Sequence, residues 1–228
     1  MAERARAAGS PDLWLTLVAA ALLLACAWLA ASWLSYDFQV WTDEGARRLE
    51  VALRPVPAPQ VTVQGPGVDG QDLSALLAAQ GGVTIADFFY TRCQTVCLSL
   101  GSSFQQLQAA LQADRQAGQP AGVRLLSISF DGAHDDPAAL ARYAQSLRAQ
   151  PDLWRFVRVP DAAQQQALLG RLGVVVVPDG RGDYEHNAAL LVFDAHGRMV
   201  RVFDLAEQQL ALDYARDLAR RAPARGRS

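Results

Sequence analysis

The sequence predicts an α/β domain, built as a central sheet flanked by helices, behind one N-terminal transmembrane helix. The chain has 228 residues, of which 51% are hydrophobic and 19% are charged, so it is able to form a sizeable core and is not a disordered chain. One long stretch near the N-terminus carries no formal charge. From residue 61 onward, apolar runs rich in β-forming residues alternate with segments of helical periodicity, which is typical of an α/β sheet.

The uncharged stretch, Leu13 to Leu34, is long enough to cross a bilayer as a helix, which needs about 20 residues. Arg4 and Arg6 precede it, and arginine before the first span predicts a cytoplasmic N-terminus. We therefore expect residues 1–12 to be cytoplasmic, residues 13–34 to be a single-pass transmembrane anchor, and the C-terminal domain to lie in the periplasm. The absence of lysine and the abundance of alanine are typical of a GC-rich bacterial genome, so the membrane is predicted to be a bacterial inner membrane.

Two other interpretations of this stretch stay open. A cleaved signal peptide would use the small residues Ala30, Ala31 and Ser32 as its cleavage site. A lipoprotein signal would place the lipid on Cys26. Residues 27–34 remain apolar past this cysteine, whereas a mature lipoprotein usually turns polar there, so the sequence favours the uncleaved anchor.

The chain beyond the anchor divides into a linker, a domain and a tail. Residues 35–60 are predicted to be a juxtamembrane linker, which ends in alternating prolines that favour extended backbone. The folded domain is predicted over residues 61–221, and the basic tail, 222–228, is predicted to be flexible. The net charge of −2, with basic residues scattered until the tail, gives no general attraction to nucleic acid.

The elements of the domain follow from its hydrophobic pattern. A short strand over 61–63 and a helix over 73–79 come first. Residues 83–90 and 123–130 are apolar runs rich in β-formers, which indicates two buried strands. Between them, apolar residues at helical spacing predict a helix over 98–116. Asp136 is a preferred N-cap and Pro137 suits a first helical turn, so the next helix is predicted over 137–148.

The remaining elements complete a recognisable order. We predict a strand over 154–159, a helix over 162–172, two strands over 188–193 and 199–203 joined by a hairpin turn, and a closing helix over 207–221. Strands and helices that alternate and then end in a hairpin and a helix follow the thioredoxin-like order. The central sheet is therefore predicted to be thioredoxin-like.

The cysteines point to a site at the mouth of this sheet. Three cysteines are too few for a disulfide scaffold, and Cys26 lies in the apolar stretch, so only Cys93 and Cys97 form a close pair. Such a pair indicates a redox or metal site, although a local structural disulfide that adds little stability stays open. The pair follows a buried strand and opens a helix, where ligands gather and where thiol pKa values fall. The neighbouring guanidinium of Arg92 would add to that effect.

The spacing of the pair suits a soft metal ion as well as a disulfide. Two residues at i and i+4 of a helix lie about 5–6 Å apart at Cβ, whereas a disulfide needs about 3.5–4.5 Å. Thiolates select Cu(I), zinc or iron–sulfur centres, and two cysteines do not complete a structural zinc site, which takes about four ligands.

Three histidines are candidates for a further ligand. His134 lies in a polar loop and His196 in the hairpin turn, and both are typical of solvated or structural residues. His186 precedes the strand over 188–193 and follows a loop rich in glycine and aspartate. The residues alone leave the role of His186 open.

Four segments together resemble the SCO/SenC family in order and spacing. They are DFFYTRCQTVC, SISFDGAHDDPAALARYA, LWRF and DYEHNAALLVFDAHGRMV, and the resemblance extends over roughly residues 61–218. It implies a thioredoxin-like fold and a copper site, for Cu(I) and Cu(II), made by Cys93, Cys97 and His186. It also implies a membrane-anchored metallochaperone that assists assembly of the copper centre of cytochrome c oxidase, with an oxidase subunit or another copper protein as partner.

The resemblance also carries a second function and some departures. Family members act as thiol–disulfide reductants, so Cys93 and Cys97 would alternatively be a redox-active pair that reduces partner cysteines or peroxide. Prolines that commonly follow the family's cysteines are replaced by Gln94 and Leu98. The aspartate before the histidine is Glu185 and the serine or threonine after it is Asn187. These changes are typical of a divergent branch.

Overall fold

A computed structural model describes residues 11–38, 40–79, 82–92, 96–119, 122–180 and 183–221. The chain divides into two compact units, Met1–Leu49 and Glu50–Ser228. The first unit contains helix α1, Pro11–Leu34, whose leucine and tryptophan side chains are exposed. Within it, Leu13–Leu34 has a mean hydropathy of 2.3 and is long and apolar enough to cross a membrane by length and composition. A signal sequence near the N-terminus can have the same length and hydropathy.

Helix α2, Asp43–Leu53, lies within the stretch that was predicted as a linker. Two acidic residues occupy its first turn, where they complement the helix dipole. Glu44 accepts hydrogen bonds from Arg47 and Arg48 one turn along, which is the pairing expected at i+3 and i+4. The only buried residue of this helix is Val51. It therefore lacks the long apolar stripe from which a helix could be predicted.

The second unit holds an eight-stranded sheet in the order β1-β10-β9-β4-β5-β6-β2-β3 and a separate hairpin of β7 with β8. The strands are β1 Val56–Pro57, β2 Thr62–Gly65, β3 Val68–Asp72, β4 Val83–Phe89, β5 Val123–Ser129, β6 Trp154–Arg158, β7 Val176–Pro178, β8 Tyr184–His186, β9 Ala189–Phe193 and β10 Arg198–Asp204. The helices are α3 Leu73–Ala79, α4 Val96–Gln116, α5 Pro137–Ser146, α6 Ala162–Leu172 and α7 Gln208–Arg221, with a 3₁₀ turn at Leu205–Glu207.

The predicted fold class is confirmed. Strands β4, β5 and β6 run parallel, and β9 and β10 add an antiparallel hairpin beside β4. Every residue of β4 is buried, as its apolar sequence predicts for a central strand. The start of α5 also agrees, because Asp136 accepts a hydrogen bond from the Ala139 amide at 2.7 Å and Pro137 occupies the first turn.

Three short features were not predicted. Strand β1 comes from the proline-rich stretch and pairs with β10 at the edge of the sheet. A proline is tolerated in an edge strand where the amide hydrogen that it lacks would have faced solvent. Strand β3 pairs back onto β2 through a turn at Gly67, whose φ of +72° suits glycine. The hairpin of β7 and β8 places His186 on a strand of its own, rather than directly before β9.

The parallel pairing sets the geometry of the site. Phe89 of β4 and Ser129 of β5 lie opposite each other at the ends of their strands, and the Phe130 amide donates to the Phe89 carbonyl at 3.0 Å. The segments that leave β4 and β5 therefore start side by side, as the carboxyl ends of parallel strands do.

Candidate metal centre

The structure describes the three predicted copper ligands to different extents. Cys93 lies outside the described residues. Cys97 is the second residue of α4, so its backbone opens the helix that follows β4, while its side chain lies outside the description. His186 is described in full and ends β8.

His186 is held in place by the hairpin and by its neighbour. It pairs with Val176 across the hairpin. The side chain of Asn187 then ties the hairpin to the end of α6: the Val175 amide donates to Asn187 Oδ1 at 2.7 Å, and Asn187 Nδ2 donates to the Gly173 carbonyl at 3.0 Å. Two bonds from one side chain fix the residue next to the imidazole.

An aromatic wall, made of Tyr90, Phe130 and Tyr184, joins this hairpin to the ends of β4 and β5. The ring centroids lie 5.1 Å apart for Tyr90 and Phe130, 5.2 Å for Tyr90 and Tyr184, and 5.6 Å for Phe130 and Tyr184. The His186 ring packs against Phe130 at 5.0 Å. Because Tyr90 precedes Cys93 by only three positions, the wall brings His186 to the end of the strand that leads into the cysteine pair.

A further feature of His186 is the burial of both nitrogens of its imidazole ring. Both ring nitrogens are buried and accept or donate no hydrogen bond among the described residues. Burial lowers the pKa of His186 below its usual value, since a charged imidazolium is disfavoured away from water. An unpaired buried polar group is costly unless something binds it, so a neutral imidazole in this position fits a soft-metal ligand such as one for copper.

A second part of the site is an acidic loop, residues 131–136, which follows β5. The buried carboxylate of Asp131 accepts a hydrogen bond from Arg92 at 2.8 Å, and this ion pair raises the pKa of the Arg92 guanidinium. Asp135 is fully buried and accepts hydrogen bonds from the Thr91 amide at 3.0 Å and the Thr91 hydroxyl at 2.5 Å. The two residues before Cys93 are therefore bound by two carboxylates.

The other two histidines are exposed. His134 Nδ1 lies 2.7 Å from Asp131 Oδ1, and 58% of its side chain is exposed. The side chain of His196 is 65% exposed in the β9–β10 turn. Across the described ranges, no three side chains of histidine, cysteine, aspartate or glutamate come together as a separate metal site.

Three buried aspartates near this end of the sheet were not predicted from the sequence. Asp131 and Asp135 carried no local signal, because their partners lie about 40 positions away. Asp87 did carry one, as a lone acid in the apolar run VTIADFFY. It is 3% exposed, its Oδ1 has no partner among the described residues, and burial raises its pKa to about 7 against an opposing hydrogen bond from Ser127.

Comparison with known proteins agrees with this architecture. The family model for SCO1/SenC matches residues 69–221. The SCO1 protein homolog of Bacillus subtilis is 26% identical over 141 residues, which cover 61% of this chain and 70% of that protein. The copper-bound structure of ScoI from Bradyrhizobium japonicum has a TM-score of 0.55 at 23% identity, over 70% of this chain and 99% of that one. The copper-bound structure of yeast Sco1 has a TM-score of 0.59 at 16% identity, over 75% and 92%.

The two structural likenesses support the fold alone, because both identities are low. The family model, in contrast, spans β3 to the end of α7 and therefore includes every strand and loop that contributes to the site. The chain belongs to the SCO1/SenC family.

Proposed function

We propose that the chain is a membrane-anchored copper chaperone that delivers copper during assembly of cytochrome c oxidase. Copper is its cargo, held by Cys93, Cys97 and His186. The helix α1 would hold the protein in a bacterial inner membrane, with the domain over residues 61–221 in the periplasm. The partner would be an oxidase subunit or another copper protein.

The observation that carries the proposal is the state of His186. Its ring packs against Phe130, both its nitrogens are buried without partners among the described residues, and burial lowers its pKa. A histidine that served only to pack would leave two desolvated nitrogens uncompensated. A metal ion would compensate one of them, and the family's copper-bound members in Bradyrhizobium japonicum and yeast support copper as that ion.

The ligand set suits this cargo. Two thiolates and an imidazole match the soft Cu(I) ion in trigonal coordination, with room for a fourth ligand when the ion is Cu(II). A helix N-terminus favours thiolate over thiol, and Cys97 is placed in the first turn of α4. A site of only three protein ligands also leaves an open position through which a partner's ligand would take the ion.

A titration tests the proposal. The full chain in detergent, reduced and without oxygen, is expected to bind one equivalent of Cu(I). Cys93→Ser, Cys97→Ser and His186→Ala are each expected to lose most of the affinity, while His134→Ala serves as the matched control and retains it. Full affinity in the His186→Ala variant would contradict the three-ligand site.

A second function, thiol–disulfide exchange, is supported by a relative. The structural relative BsSco, with a TM-score of 0.61, is described as having a disulfide switch. In this chain, Cys93 and Cys97 would pass two electrons and two protons to a partner disulfide and form their own disulfide in return. This activity needs no imidazole, so retention of stoichiometric disulfide reduction by His186→Ala, together with loss in Cys93→Ser, would identify it.

A further inference from the structure

We propose that Asp135 is a positioning residue that holds the turn carrying the cysteine pair and thereby sets both its copper affinity and its redox potential. The inference rests on the proposed function, because it concerns the same pair. Asp135 belongs to the acidic loop and lies 44 positions from Thr91, and no part of its role is visible in the local sequence.

The contacts of Asp135 are complete for a buried carboxylate. Its Oδ2 accepts from the Thr91 amide at 3.0 Å and from the Ser129 hydroxyl at 2.6 Å, and its Oδ1 accepts from the Thr91 hydroxyl at 2.5 Å. The residue is 0% exposed. Hydrogen bonds to a charged acceptor are stronger than neutral ones, so the Thr91 backbone is held at both its amide and its side chain.

The carboxylate is itself anchored to the sheet. The Ser129 hydroxyl, which donates to Asp135, accepts from the Asp131 amide at 3.1 Å. The Asp135 amide donates to the Asp131 carbonyl at 2.9 Å. The end of β5 therefore fixes Asp135, and Asp135 fixes the turn that leaves β4.

The next residue along the turn is bound by the same loop. Arg92 donates to Asp131 at 2.8 Å, but its side chain is 50% exposed, so solvent weakens this bond. The contact of Thr91 with Asp135, whose carboxylate is fully buried, is the stronger of the two. Thr91 is separated from Cys93 by one residue, so we infer that a shift of the Thr91 amide would change how the chain enters the cysteine pair.

Loss of the contact is expected to loosen the site without removing a ligand. Partners that orient ligands typically change metal affinity by about 10–100-fold when mutated. Asp135→Asn replaces one acceptor oxygen with a donor, so one Thr91 donor loses its partner. Thr91→Val removes the hydroxyl and keeps the backbone amide. Thr91→Ser keeps both the hydroxyl and the amide on a side chain of smaller volume.

The experiment uses the full chain in detergent and three measurements. They are Cu(I) affinity by competition with a chromogenic chelator, the midpoint potential of the Cys93/Cys97 disulfide without metal, and the urea midpoint of unfolding. The matched control is Asp136→Ala, which removes the N-cap bond to Ala139 and lowers stability but does not touch Thr91.

We expect at least a roughly tenfold loss of copper affinity in Asp135→Asn and Thr91→Val, with a shifted disulfide potential in both. Thr91→Ser is expected to restore both values, and Asp136→Ala to lose stability alone. The proposal is overturned if both folded variants keep wild-type affinity and potential, or if Asp136→Ala changes them as much for the same loss of stability. If Asp135→Asn does not fold, Thr91→Val decides alone. If wild-type protein binds no copper, the proposed function fails, and the disulfide potentials still decide the role of Asp135.

Discussion

The two sides of the site treat their buried polar groups in opposite ways. In the acidic loop, the fully buried Asp135 accepts three hydrogen bonds, and Asp131 accepts from Arg92 and lies beside His134. At the aromatic wall, His186 packs on Phe130 with two buried nitrogens that have no partner among the described residues.

This difference separates a satisfied carboxylate from an imidazole that has no partner among the described residues. A satisfied buried carboxylate rigidifies its surroundings, so the acidic loop is suited to holding the turn before the cysteines. An unsatisfied buried imidazole costs stability, and among the described residues the contacts of this ring are with aromatic side chains. Aromatic packing fixes the ring without occupying its nitrogens, which keeps them available for a metal ion.

The largest expected effect comes from the aromatic wall. Phe130 is 4% exposed and contacts Tyr90, Tyr184 and His186. Phe130→Ala is expected to lower the free energy of unfolding by about 3–5 kcal/mol, because a large buried ring leaves a cavity. Urea unfolding measures the change, and Val177→Ala, at a position 52% exposed, is the control. A loss below about 1 kcal/mol would show that packing on Phe130 does not hold the hairpin.

The second prediction uses Asp87, a buried carboxyl with one oxygen that has no partner in the part of the chain that the structure describes. Burial raises its pKa to about 7 in the folded chain, from an ordinary value of 3.8. Between these values the folded state keeps a proton that the unfolded state has lost, so stability falls as the pH rises from about 4 to 7 and stays low above. The free energy of unfolding lost over this pH range is up to about 4 kcal/mol, because each tenfold change in the ionisation constant corresponds to about 1.4 kcal/mol.

Asp87→Asn is expected to remove this part of the pH dependence and to unfold at higher urea than the wild type at pH 8. Asp69→Asn, an exposed change, is expected to retain the wild-type profile. Urea midpoints measured from pH 4 to 8 test both. An Asp87→Asn profile parallel to that of the wild type would mean that Asp87 does not stay protonated in the folded protein.

Most of the sheet could be predicted from the sequence because its central strands are continuous apolar runs. Strand β4 was predicted at 83–90 and is observed at Val83–Phe89, and helix α3 was predicted with its observed bounds. Buried strands between helices leave such runs, and a helix leaves a period of its own. Helix α4 was predicted from residue 98 and begins at Val96, so Cys97 lies inside its first turn rather than directly before it.

The contacts that shape the site could not be predicted in the same way. Strands β7 and β8 have three residues each, too few to show alternation, so the hairpin that carries His186 was not expected. The Asp135–Thr91 bonds join residues 44 positions apart, and only the parallel pairing of β4 with β5 brings them together. Local sequence contains the residues of such a contact but not their proximity.

A third prediction concerns the polar clamp beside His186. Asn187→Ala removes the bonds to the Val175 amide and the Gly173 carbonyl. We expect a loss of about 1–2 kcal/mol in unfolding free energy, at about 1 kcal/mol for each bond, together with weaker copper binding. Glu185→Gln, an exposed change on the same hairpin, is the control. Unchanged stability and unchanged affinity would mean that the hairpin holds its position without the clamp.

The smallest effect is expected at the exposed edge of the acidic loop. Arg92→Ala removes a half-exposed ion pair with Asp131, and such pairs contribute little to stability. We expect Arg92→Ala to shift the urea midpoint less than Asn187→Ala does. The Arg92→Ala shift should vanish near 1 M salt, because the screening length falls to about 3 Å at that ionic strength. A larger loss that persists in high salt would place Arg92 among the structural contacts of the loop.

The most direct test of the account is X-ray absorption at the copper edge of the Cu(I)-loaded full chain. We predict two sulfur neighbours and one nitrogen neighbour with the multiple-scattering pattern of an imidazole, and loss of that nitrogen in His186→Ala. A spectrum with sulfur neighbours only, or one that His186→Ala leaves unchanged, would contradict the assignment of His186 as the ligand that the aromatic wall holds for copper.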